Sequence, residues 1–81
     1  MPYIEEKSRP RLDRLVEQVP EDLKVGELNY LITKTLLATK PHGYTAYNAL
    51  VGVLECVKLE LYRRVIGPYE DGKMVENGDV Y

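Results

Sequence analysis

Phenylalanine and tryptophan are absent from these 81 residues, and there is one cysteine, Cys56, and one histidine, His42. A single cysteine forms no internal disulfide, and one cysteine with one histidine gives no zinc-ligand spacing. Disulfide-stapled and zinc-organised folds are therefore excluded, and no metal site is expected. Neither sign of charge dominates: 11 basic side chains stand against 13 acidic ones, a formal net charge of −2. No strong field draws nucleic acid or an anionic membrane surface. Long apolar runs are also missing, since none approaches the ~18 residues of a membrane span. The opening residues 1–7 (Met-Pro-Tyr-Ile-Glu-Glu-Lys) lack the apolar stretch of a secretory signal. The expected location is the cytoplasm.

What is present is ordinary globular material, 44% apolar and 30% charged, which predicts one domain over residues 1–81. The aromatic side chains are seven tyrosines. Tyrosine joins apolar area to a hydroxyl that needs a partner, which suits interfaces and pocket walls. In a chain this short one core rarely supplies more than ~3–5 kcal/mol, and disulfides or metals usually supplement it. With neither expected, association into a homo-oligomer is the expected supplement.

The hydrophobic pattern predicts an all-α fold: three main helices and a short C-terminal one, in a small bundle. After an extended opening over residues 1–7, Ser8 offers an N-cap and Pro10 suits the first turn. Leu12, Leu15, Val16 and Val19 then make an i, i+3, i+4, i+7 stripe of about three turns, closed by Pro20. Gly26 is the expected cap of the second helix, whose stripe is Leu28, Leu31, Ile32, Thr35 and Leu36. Residues 39–43 (Thr-Lys-Pro-His-Gly) break it. The third helix, from about Thr45 to Ile66, carries Tyr47, Leu50, Val51, Leu54, Val57, Leu61 and Val65 on one seam. A second apolar row, Ala46, Ala49, Val53, Cys56 and Leu59, lies beside it. An arc that wide requires cover on two sides. Gly52 within this helix predicts close approach of a neighbouring helix, with a ligand contact as the rarer alternative. Past Gly67, Pro68 with Glu70 and Asp71 behind it reads as a new helix start, and Asn77-Gly78 as its C-cap. The rival reading is a hairpin turning on Asn77-Gly78.

Catalytic constellations are hard to find. Helical magnesium pyrophosphatases need acids at i and i+3. Here Glu27 is followed by Tyr30, Glu55 by Lys58 and Glu60 by Arg63, so Glu55–Lys58 and Glu60–Arg64 read as surface ion pairs. No nucleophile elbow and no phosphate-binding glycine loop occurs. His42, in a Pro-His-Gly loop, reads as an exposed loop residue. The expectation is a non-enzymatic protein without a cofactor.

Polar chemistry concentrates near the C-terminus. Tyr69, Glu70, Asp71, Asn77, Asp79 and Tyr81 form a candidate ligand-binding set, able to hydrogen-bond a ribose or stack on a base, with Arg63 and Arg64 just before them for phosphate. The alternative is a solvated cap folded over the helices. This tail, Pro68-Tyr69-Glu70-Asp71 through Lys73 and then residues 76–81 (Glu-Asn-Gly-Asp-Val-Tyr), resembles a small uncharacterised family of proteins this size from bacteriophage and bacterial genomes. Residues 26–33 and 51–64 belong to the same pattern. The resemblance implies no catalytic residues. By analogy of source, it suggests a phage protein acting in the host cytoplasm against host defence, sequestering a small nucleotide-derived signal. The alternative class is a protein–protein adaptor or structural oligomer with the tail as its docking element.

Overall fold

A computed structural model describes residues 4–81 of the chain. It divides into two compact units, the first ending at Lys40 and the second spanning Pro41–Tyr81. Among the described residues all regular structure is helical, so the all-α expectation holds.

In the first unit a 3-10 turn, Glu6–Ser8, runs directly into helix α1, Arg9–Val16. Of the extended opening expected over residues 1–7, the first three lie outside the described residues, and Glu6 and Lys7 are in this turn. Ser8 does stand at the N-cap position of α1. The turn holds it at φ −90°, ψ −10°, and its side chain makes no capping bond. α1 is also shorter than expected. Val19 lies beyond it, in a turn closed by Gln18 N–H to the Leu15 carbonyl (3.2 Å) and Val19 N–H to the Val16 carbonyl (3.0 Å). Pro20 is the reason, because its ring disfavours the helical conformation at the residue before it.

Helix α2 spans Val25–Ala38. The expected Gly26 cap is corrected by two positions: Lys24, extended at φ −76° and ψ 160°, occupies the N-cap. The Glu27 carboxylate accepts the Lys24 backbone N–H at 2.9 Å, which satisfies a backbone donor and places negative charge at the positive end of the helix dipole. At the other end the Thr39 hydroxyl donates to the Leu36 carbonyl (2.6 Å). Lys40 then turns left-handed at φ 53° before Pro41.

The second unit is helical almost throughout. Helix α3 covers Tyr44–Leu61, a π turn follows over Tyr62–Ile66, and helix α4 covers Gly67–Asn77. Gly43 is the N-cap of α3 at φ 89°, ψ 170°, a region that essentially only glycine enters. No loop separates α3 from α4. Pro68 has no N–H, and its ring would collide with the carbonyl four residues back in an ordinary α-turn. The π turn relaxes that geometry: the Gly67 N–H bonds the Tyr62 carbonyl, five residues back. A Cβ on Gly67 would sit 3.2 Å from that oxygen. The terminal segment is a helix, as favoured over the hairpin. Gly78, at φ 83°, ends it, its N–H bonding the Met74 carbonyl at 2.9 Å.

Neither unit buries a single described residue, so neither has the private core of a domain. On α3, Val51 is 65% exposed, Val57 57% and Leu54 41%. Within its unit a Cβ at Gly52 would meet nothing within 4 Å, so the helix expected close to it is not supplied there.

These backbone assignments separate two glycines. Gly43→Ala should lower the thermal midpoint followed by circular dichroism, at a cost of about 1–3 kcal/mol for the forced φ. Gly72→Ala, where a Cβ meets open space inside α4, should raise it by up to about 1 kcal/mol. Equal effects of the two substitutions would contradict the assignments.

Candidate functional site

The C-terminal end of the second unit is where the candidate residues gather. Pro68 sits in the first turn of α4, which continues from the π turn without a break. Gly78 then stops the helix, and the tail turns so that the Tyr81 N–H reaches the Asp79 carboxylate at 3.0 Å. This encloses an open groove of about 400 Å³ along α4. Five of the eight candidate residues line it: Glu70, Asp71, Asn77, Asp79 and Tyr81. Lys73, Met74 and Val80, which sequence reasoning left out, complete the walls with Gly78.

The other three candidates are held elsewhere. Arg63 Nη2 and Arg64 Nε approach one oxygen of Glu60, at 3.5 and 3.4 Å. The Glu60–Arg64 pair is as expected from spacing, and so is Glu55–Lys58 at 3.2 Å. Tyr69 lies under the Lys73 ammonium, 5.6 Å from its ring centre, while Lys73 also pairs with Glu76 at 3.1 Å.

Tyr62 is the residue that sequence reasoning missed. Its hydroxyl donates to Glu70 Oε1 at 2.9 Å, bridging the π turn to α4. Residues eight apart meet on one side of a helix only when the helix is continuous, so the contact was hidden by the expected break at Gly67-Pro68. The Glu70 carboxylate accepts the phenol proton and opposes a phenolate, which raises the Tyr62 pKa above its usual value.

The groove carries three carboxylates and one ammonium. It offers hydrogen-bond acceptors to hydroxyl or cationic groups far more readily than donors to a phosphate. Among the described residues no group of three or more His, Cys, Asp and Glu side chains is placed to hold a metal ion, and no helix is long and apolar enough to cross a membrane. Cys56 is exposed on α3.

A family model described as a domain of unknown function, DUF6899, matches residues 1–80. The chain belongs to that family. Searches of curated proteins and of solved structures return no match. The match covers α1 through α4 and the tail as far as Val80, so every lining residue of the groove except Tyr81 lies within it.

The Tyr62–Glu70 bond has a spectroscopic consequence. A raised folded-state pKa means that the bond's contribution is fully present below the ordinary tyrosine value of 10.0 and is lost as pH rises through the raised one. The difference between wild type and Tyr62→Phe, read as phenolate absorbance, should therefore titrate above pH 10. In a Glu70→Gln background that difference should move down towards the ordinary value. A midpoint unchanged by Glu70→Gln would show that the carboxylate is not the cause.

Proposed function

We propose that the chain is a non-enzymatic association protein, a set of amphipathic helices that complete a hydrophobic core only against a partner. The observation that carries this is the absence of any buried described residue in either unit, although α2 and α3 are rich in leucine, valine and isoleucine. Apolar patches beyond a few hundred Å² are rare on soluble monomers and mark interaction surfaces. α3 is apolar over an arc too wide for one neighbour to cover, so a second chain is the natural supply of the remaining cover. The first unit has apolar surface of its own, a groove of about 470 Å³ whose walls include Leu15, Val16, Val19, Pro20 and Leu31.

Sequestration of a nucleotide-derived signal by a phage protein is the second reading, favoured by the convergence of Glu70, Asp71, Asn77, Asp79 and Tyr81 on one groove. It requires the acids to face ribose or base and the two arginines to leave Glu60 for phosphate. In that reading a nucleotide panel is depleted by the protein and recovered unchanged on denaturation.

For the association reading, light scattering at micromolar concentration should give a multiple of 9.3 kDa. Leu54→Asp should raise the dissociation constant by roughly a hundredfold, since an unpaired charge in an apolar interface costs about 3 kcal/mol or more. A mass of one chain, indifferent to that substitution, would contradict the proposal.

A further inference from the structure

The near-neutral chain is uneven in its charge. Helix α1 holds Arg9, Arg11 and Arg14 against Asp13 alone, a net +2, while Lys7 before it pairs with Glu5 at 3.3 Å. Residues 67–81 hold Glu70, Asp71, Glu76 and Asp79 against Lys73 alone, a net −3. On α1, Arg11, Arg14 and Leu15 follow at i, i+3 and i+4, so they share one strip of the helix. All three are exposed, Leu15 at 63%. Among the described residues neither arginine side chain makes an ion pair or hydrogen bond, and nor does that of Asp71. Across the groove of α4, Met74, Val80 and the Tyr81 ring supply carbon surface, and Glu70, Asp71 and Asp79 supply the acidic rim.

Resting on the association reading, we infer that this groove receives helix α1 of a second copy of the chain, with Leu15 on Met74 and Val80 and with Arg11 and Arg14 on Asp71 and Asp79. Charge selects the occupant. A second α4 would bring acids against acids, whereas α1 is the one helix of the four with a positive excess. Its arginine stems are themselves apolar and lie well on carbon walls. Glu70 keeps its bond to Tyr62, and Asp79, which already accepts the Tyr81 N–H through one oxygen, has the other for a guanidinium. Each copy both gives an α1 and takes one, so two copies close the exchange about a two-fold axis. Exposed ion pairs add at most about 1 kcal/mol each. They set which helix enters and in which direction, while apolar contact holds it.

The test is a charge swap in the full-length protein, read by sedimentation velocity. Arg11→Glu with Arg14→Glu is one variant, and Asp71→Lys with Asp79→Lys is the other. Each alone loses all four exposed pairs of the two-fold dimer and sets like charges together, so it should associate at least about tenfold more weakly than wild type. An equimolar mixture should recover a mixed assembly, and wild-type association should weaken as salt rises from 50 to 500 mM, where screening shortens the reach of exposed charge. The salt series needs no substitution, so it decides the matter even if a variant fails to fold. Variants that associate like wild type, together with no salt effect, would overturn the α1 contact and leave the association reading standing. Recovery only in a single chain carrying all four substitutions would place the contact within one copy and overturn it too. A wild-type chain that sediments at 9.3 kDa throughout would overturn both.

Discussion

Everything in this chain turns on the unburied apolar surface of α3. The helix carries two parallel apolar rows, Leu50, Leu54, Val57 and Leu61 on one and Ala46, Ala49, Val53 and Cys56 on the other. A helix is a cylinder, and one neighbour covers roughly a third of its circumference. Within its own unit α3 has only its continuation into α4 along the same chain, and no residue there is buried. The hydrophobic term that must offset the entropy of ordering the chain is therefore not supplied within the unit, and the association proposed above would supply it. Gly52 faces open space in the unit, and in the proposed association a partner helix would approach closely there.

The π turn is the second constraint, and it arises from one residue. Pro68 would end most helices, but five residues looped into a wider turn let the helix pass it. Continuity has a chemical result, because it brings Tyr62 over Glu70. That bond occupies one oxygen of an acid that otherwise faces the groove, and fixes the start of α4 relative to the turn. The groove is thus framed at one end by the proline-driven turn and at the other by the left-handed Gly78.

Much of this was legible in the sequence, for identifiable reasons. The stripe of α3 and its surface pairs Glu55–Lys58 and Glu60–Arg64 follow from helical spacing alone, and spacing is local. Asn77-Gly78 announced a helix end because only glycine sits easily where the chain turns left-handed. What stayed hidden depends on competition between neighbouring groups. Lys24 displaced Gly26 as cap because Glu27 reaches back to its N–H, a bond that residue preferences do not weigh. Val19 fits the stripe of α1 and yet lies outside it, because the proline after it governs its backbone. The candidate site was half visible: five of eight residues converge on one groove. Arg63 and Arg64 were drawn to Glu60 instead, one turn back on the same helix, where the attraction needs no tertiary arrangement.

If apolar cover comes from a partner chain, folding and association are one equilibrium, and the stability of the helices depends on how much chain is present. The direct measurement is thermal unfolding followed by far-ultraviolet circular dichroism over a hundredfold range of protein concentration. The account predicts a midpoint that rises steadily with concentration, with helical signal lost on dilution at fixed temperature. A midpoint independent of concentration, with full helicity retained at the lowest one, would contradict it.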